Sequence, residues 1–125
     1  MALTVTHDER DGWTILTVSG ELDLVTAPVV REHVHDAVAD GRHSLVLDLA
    51  GVHFCDSSGV GVLIAARRLL RSCAGQLRLI LPSDVRGDGA AHVNKVLAAL
   101  GVRRLFEVFP DIAAATDGEA GPISA

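Results

Sequence analysis

Asp56, Ser57 and Ser58 stand in an unbroken row, followed by Gly59, Val60 and Gly61. The wider run, Val52-His53-Phe54-Cys55-Asp56-Ser57-Ser58-Gly59-Val60-Gly61, follows a short apolar stretch and leads into a helix-patterned one. It therefore falls at a strand's carboxyl end, where open α/β sheets collect ligands and functional groups. Asp and Ser side chains accept hydrogen bonds from the free N–H groups of a helix's first turn, and one such residue is enough. Two readings of the surplus stay open. In one, the three residues over-cap the helix. In the other, one serine caps and the other presents its hydroxyl for covalent modification. Gly59 and Gly61 then strip the first turn of side chains, so that another protein's active site can approach. A nucleophile elbow is excluded, because it needs glycines on both sides of the serine in Gly-x-Ser-x-Gly. A phosphate-binding P-loop is excluded because no Gly-Lys-Ser/Thr follows.

Other reactive residue types form no comparable constellation. Of the six histidines, His33 and His35 are two apart and point in different directions on a helix. His53 and Cys55 lack a second ligand pair nearby. No metal or other cofactor is expected. Cys55 and Cys73 read as reduced, small core fillers, and Trp13 as a packing residue of a hairpin.

The chain that positions the Asp-Ser-Ser row has 125 residues, 49% of them apolar, enough for one domain with a core. A net charge of -5 and 3% aromatic residues argue against a nucleic-acid partner. Arg or Asp interrupts every apolar run before the ~18 residues of a membrane span. The first residues lack the basic and apolar regions of a signal peptide, so a cytoplasmic protein is expected.

Leu3–Thr6 and Thr14–Val18 read as a hairpin around Asp11-Gly12. Thr26 and Pro28 open a helix that runs to about Asp40, ended by Gly41. Ser44–Leu49 is a strand covered on both faces. A helix follows from about Ser58 to Ser72, with Gly75 as its stop. Gln76–Leu81 is a further buried strand. The polar, glycine-rich stretch from Pro82 to Ala91 reads as a loop. His92–Leu100 is a helix with Gly101 after it, Arg104–Val108 a last strand, and Asp111–Thr116 a short helix. Strands separated by helices demand parallel crossovers. The fold class is α/β: a mixed, mostly parallel sheet of about five strands with four helices against it. Residues 1–116 form the domain, and 117–125 a flexible tail.

On the second helix, Gly59, Val62, Leu63, Ala66, Leu69, Leu70 and Cys73 share the core face. The opposite side is then expected to carry Val60, Ile64, Arg67, Arg68 and Arg71. This stripe of aliphatic and arginine side chains below Ser58 reads as a docking surface.

Gly20-Glu21-Leu22-Asp23, the capped helix, Leu47-Asp48-Leu49 and Phe54-Cys55-Asp56-Ser57-Ser58-Gly59-Val60-Gly61 together resemble the STAS domain of bacterial anti-sigma factor antagonists, over about residues 3–116. The resemblance implies the STAS fold and a non-enzymatic, partner-switching regulator. The unphosphorylated antagonist would bind an anti-sigma factor that is also a serine kinase, which frees the sigma factor. That kinase would phosphorylate Ser58, and a metal-dependent serine phosphatase would restore it. Ser58 matches the phosphoacceptor, Asp56 and Ser57 the residues that position it, and Asp23 an acidic residue beside the site. The stretch 82–91 is longer than in compact members. Two rival expectations are a STAS module that binds a ligand such as a nucleotide or acts as a scaffold, and a soluble accessory subunit of a membrane transporter.

Overall fold

The structure, a computed structural model, describes residues 2–82 and 90–117. Most of the expected 82–91 loop and of the 117–125 tail lies outside the described residues. The chain opens with an antiparallel hairpin of β1 (Leu3–Arg10) and β2 (Trp13–Leu22). Asp11 and Gly12 between them both take positive φ, 54° and 87°. This two-residue turn matches the right-handed twist of the strands. Both strands run further than their apolar cores suggest. On β1 the reason is exposure: its charged half, His7-Asp8-Glu9-Arg10, lies in solvent at the sheet edge.

The helix α1 (Ala27–Ala39) follows, with Pro28 in its first turn. Next come β3 (Ser44–Cys55), α2 (Ser57–Ser72), β4 (Gln76–Ile80) and α3 (Ala90–Ala99). At the end of α2 the left-handed residue is Ala74, φ 60°, rather than the expected Gly75. Gly75 answers a different need, since a Cβ there would collide with the carbonyl oxygen of His43. After α3, Gly101 turns the chain with φ 67°. The expected strand 104–108 begins instead as a single 3-10 turn, Arg103–Leu105. Only β5 (Glu107–Phe109) then pairs with the sheet, and α4 (Ile112–Ala115) closes the described chain, capped by Asp111.

The strands lie in the order β1-β2-β3-β4-β5, antiparallel at β1/β2 and parallel elsewhere. All of Ser44–Leu49 is buried, as a central strand covered on both faces requires. Odd residues of β3 (Leu45, Leu47, Leu49) join Val30 and Val34 of α1, Leu63, Ala66 and Leu70 of α2, and Val93 and Leu97 of α3 in the main core. Val46 points the other way, into a smaller core with Trp13, Ile15, Ile80 and Ala115.

Arg78 organises that second core. Its guanidinium lies 4.3 Å from the Trp13 ring centroid and 4.8 Å from that of Phe109. One of its terminal nitrogens donates to the carbonyls of Ala115 (3.0 Å) and Asp117 (3.1 Å), holding the chain end after α4. Replacing Arg78 with Ala removes two cation–π contacts and two charge-assisted hydrogen bonds. The expected loss is about 2–3 kcal/mol in urea unfolding. Arg78→Lys should recover less than half, because an ammonium cannot lie flat between two rings. A loss below about 0.5 kcal/mol for Arg78→Ala would show that the second core stands without it.

Candidate functional site

The site is built where β2 and β3 run past the rest of the sheet. Only Ser44–Asp48 of β3 pairs with β4, whereas β2 follows β3 to its end, with Leu22 opposite Cys55. Both strands end at that rung. Asp23 and Asp56 are the next residues, so two segments far apart in sequence become neighbours. The Asp56 N–H donates to the Leu22 carbonyl at 3.2 Å.

Asp56 is the cap of α2. Its Oδ1 accepts from the N–H groups of Ser58 (2.8 Å) and Gly59 (3.1 Å), and its Oδ2 accepts from the Leu24 N–H (3.2 Å). One carboxylate thus starts the helix and fastens the β2–α1 loop to it. The expectation that one serine caps is corrected. Neither does, because extended backbone at Asp56 aims its carboxylate into the first turn ahead of them. Ser57 is exposed and Ser58 half-buried, and neither hydroxyl has a hydrogen bond among the described residues.

Asp23 shapes the neighbouring loop. Its Oδ1 accepts from the N–H groups of Val25 and Thr26, both at 3.0 Å, and from the Thr26 hydroxyl at 3.1 Å. The same hydroxyl is 2.7 Å from the Glu21 carbonyl and 2.9 Å from the Asp23 N–H. Thr26 stands at the N-cap position of α1 but ties the loop instead of capping. The Thr26 N–H, with the Thr26 hydroxyl and the Val25 N–H, holds the Asp23 carboxyl below the usual carboxylate range. Burial, reinforced by the adjacent Asp56 carboxylate, pushes the Cys55 thiol up to about 11. Cys55 is the unreactive core filler its type suggests.

The two glycines of the motif do different work. Gly59 is buried, and a Cβ there would lie 2.7 Å from Leu22 Cγ, 2.8 Å from Cys55 Sγ and 2.9 Å from the Leu22 carbonyl oxygen. It lets α2 settle on the strand ends. Its expected role in admitting another protein is corrected on that ground. Gly61 is exposed with open space around it, which leaves the approach to Ser58 clear on that side.

The expected docking stripe is also revised. Val60 is 2% exposed, and Ile64 is half-buried against the main core. On a wheel they stand on the flank of α2. The outer face is Gly61, Ala65 and Arg68, all exposed. Arg67 Nε donates to the Leu105 carbonyl at 2.8 Å and so braces the 3-10 turn, leaving Arg68 and Arg71 as the exposed cations of α2.

The apolar surface that sequence reasoning missed belongs to the loop and to α1. Leu24 is 72% and Val25 81% exposed, with Val29 also exposed. Leu24, Ala27, Pro28 and Arg31 face Ser58, Gly61 and Ala65 across a groove of about 280 Å³ between α1 and α2. Two aliphatics directly after Gly-Glu-Leu-Asp, ahead of the helix start at Thr26 and Pro28, are the signal the sequence carries. On the other side, His92 Nε2 lies 3.2 Å from the Cys55 carbonyl, and its ring stacks on Phe54 at 5.0 Å. Among the described residues no group of three or more potential ligands could hold a metal ion, and no helix is long and apolar enough to cross a membrane.

The sequence matches the family described as STAS domain over residues 4–115. The anti-sigma-F factor antagonist RsfB of Mycobacterium tuberculosis is 39% identical over 64 residues, 51% of this chain. That alignment spans about half the relative's length, 52%. An anti-sigma F factor antagonist of Paenibacillus polymyxa is 32% identical over 111 residues, 88% of this chain and 86% of the relative. The crystal structure of an anti-sigma factor antagonist from Mycobacterium paratuberculosis superposes with a TM-score of 0.77 at 27% identity, covering 91% of each chain. The chain belongs to the STAS domain family, and these relatives carry the name anti-sigma factor antagonist.

The geometry separates the motif residues by experiment. Asp56→Ala should cost about 1 kcal/mol of stability and speed amide exchange at Leu24, Ser58 and Gly59 together. Faster exchange at Ser58 and Gly59 alone would break the link to the loop. Gly59→Ala should destabilise by about 1–3 kcal/mol through overpacking. Gly61→Ala, on an open helical position, should be neutral or stabilise by up to about 1 kcal/mol. Because the folded Asp23 carboxyl lies below its unfolded value, the order it confers is complete above the ordinary carboxylate range and is lost as pH falls beneath that range. Amide exchange at Val25 and Thr26 in Asp23→Asn should lose that acid dependence.

Proposed function

We propose that the chain is an anti-sigma factor antagonist working by partner switching, with Ser58 as its phosphoacceptor. The observation that carries the proposal is the division of labour at the start of α2. Asp56 alone caps the helix, so the Ser58 hydroxyl is not needed for capping and stands half-buried beside an apolar groove with an open approach at Gly61. Leu24, Val25 and Val29 supply the exposed apolar area a protein partner would cover, and Arg31, Arg68 and Arg71 offer cations to its acidic groups. The partner is an anti-sigma factor with serine kinase activity. A metal-dependent serine phosphatase reverses the modification, and the sigma factor is affected only indirectly. The protein acts in the cytoplasm as a binding protein rather than an enzyme.

A phosphoryl group on Ser58 adds roughly -1.5 to -2 charges. The start of α2 does little to absorb them. The Ser58 and Gly59 N–H groups already donate to Asp56, and the Val60 N–H donates to the Asp56 carbonyl. The new charge therefore stands beside an existing carboxylate, and among the described residues Arg31 is the one cation lining the groove. Covering that surface with a partner would desolvate the phosphate against Asp56, which favours release.

Incubation with ATP and an extract of the native host should place phosphate on Ser58 by mass spectrometry, and Ser58→Ala should abolish it while retaining the kinase. Phosphate on Ser57 would move the site by one residue. None at all, where other substrates are labelled, would favour a ligand-binding or transporter-associated module. Ser58→Asp should weaken kinase binding about 100-fold, roughly 3 kcal/mol, with an unchanged thermal transition. Leu24→Asp should weaken it about 10-fold or more, again without unfolding, since that side chain contributes little to the core. Full affinity in Leu24→Asp would remove the loop from the docking surface.

A further inference from the structure

The outer edge of β1 carries the strongest unassigned feature. Among the described residues no strand pairs with it, and its eight-residue ladder to β2 runs without a register shift. Its sequence, Leu-Thr-Val-Thr-His-Asp-Glu-Arg, holds no Pro and no Lys, the usual guards of a free edge. The alternation of the ladder decides which groups are open. A two-residue turn makes Arg10 and Trp13 a pair that exchanges both hydrogen bonds, so Asp8, Thr6 and Thr4 also turn their amides toward β2. The Glu21 N–H donating to the Ala2 carbonyl continues the same alternation. Leu3, Val5, His7 and Glu9 therefore point N–H and C=O outward.

The far end of this row is closed from within. The Glu9 N–H donates to Asp8 Oδ1 at 2.8 Å, and the Glu9 carboxylate pairs with Arg42. What remains open is Leu3–His7, a stretch without Asp, Glu, Lys or Arg.

We propose that this edge pairs with the same edge of a second copy, antiparallel and centred on Val5. Val5 then faces Val5 of the other copy, Leu3 faces His7, and about six backbone hydrogen bonds form across the two-fold axis. Thr4 faces Thr6 on the side of the sheet away from the main core. The centre on Val5 fits the charges. Asp8 and Glu9 run past the start of the other strand and meet no like charge, whereas a register centred on Asp8 would set two carboxylates face to face. A second copy suits the edge better than an unrelated strand, because the open stretch complements itself about one residue. The two sheets would join into one of ten strands, with the Ser58 site present in each copy.

Sedimentation of the untagged full chain tests this. The mass should rise from that of the monomer toward twice it between about 10 µM and 1 mM, the range for a small interface made largely of backbone hydrogen bonds. Val5→Pro should stay monomeric, because it removes an outward N–H at the axis while sparing the bonds to β2. Thr4→Glu/Thr6→Glu sets like charges opposite each other at two exposed positions and should weaken pairing at least about 10-fold. Thr4→Glu/Thr6→Lys sets opposite charges there and should restore it. Circular dichroism should show all variants folded, and the charge pair decides the matter if Val5→Pro is not. A chain monomeric at 1 mM overturns the proposal, as does a dimer indifferent to both charge variants or weakened equally by them.

Discussion

Two extra residues in β3 determine where everything at the site stands. From Thr17 to Leu22 the β2 strand advances five residues, while from Asp48 to Cys55 its partner advances seven. The two register shifts, between Thr17 and Ser19 and between Gly20 and Glu21, absorb the difference. Without them Leu22 would face His53, and Asp56 would lie three residues beyond the last rung. With them Asp56 leaves the sheet beside Asp23, close enough for its second oxygen to hold the Leu24 N–H. Bulges of this kind re-aim a strand end, and they recur next to functional sites. Gly20 accommodates the second of them, with φ 112° and the Ala2 carbonyl packed where a Cβ would stand.

Much of this architecture is written locally and can be read locally. Asp-Gly specifies the hairpin, Thr26 and Pro28 mark the start of α1, and the unbroken apolar run from Leu45 to Leu47 marks a strand covered on both faces. The Asp-Ser-Ser row announces a helix start with polar groups to spare. The details that escaped are those decided by what packs alongside. Whether Val60 on the flank of α2 meets water or protein depends on neighbours that a helical wheel does not contain. Which of three cap-forming residues accepts the bonds depends on the backbone angle at Asp56, set by its rung in the sheet. The exposure of Leu24 and Val25 was hidden for a related reason: apolar residues in a short loop read as ordinary until the loop is seen to be held by Asp23, Thr26 and Asp56 rather than by packing.

That last arrangement has an energetic consequence. A loop displaying aliphatic side chains to water gains little from burial, and left to itself it would sample many conformations. Here hydrogen bonds do the ordering. Asp23 gathers two amides and a hydroxyl, Thr26 reaches the Glu21 carbonyl, and Asp56 reaches across from the other chain segment. A surface ordered before it meets a partner loses less conformational entropy on binding, so more of the apolar contact appears as affinity.

In the proposed function the same economy ties recognition to modification. Asp56 uses one oxygen to cap the helix that carries Ser58 and the other to hold the loop that carries Leu24. Charge added at Ser58 therefore acts beside the group on which both the helix start and the exposed loop depend. The core packs beneath Gly59, built from aliphatic side chains with Cys55 and Phe106, none of which carries a charge to respond. In the proposed switch, this division allows a phosphoryl group to change what the surface binds while leaving intact the sheet and helices that hold the surface in place.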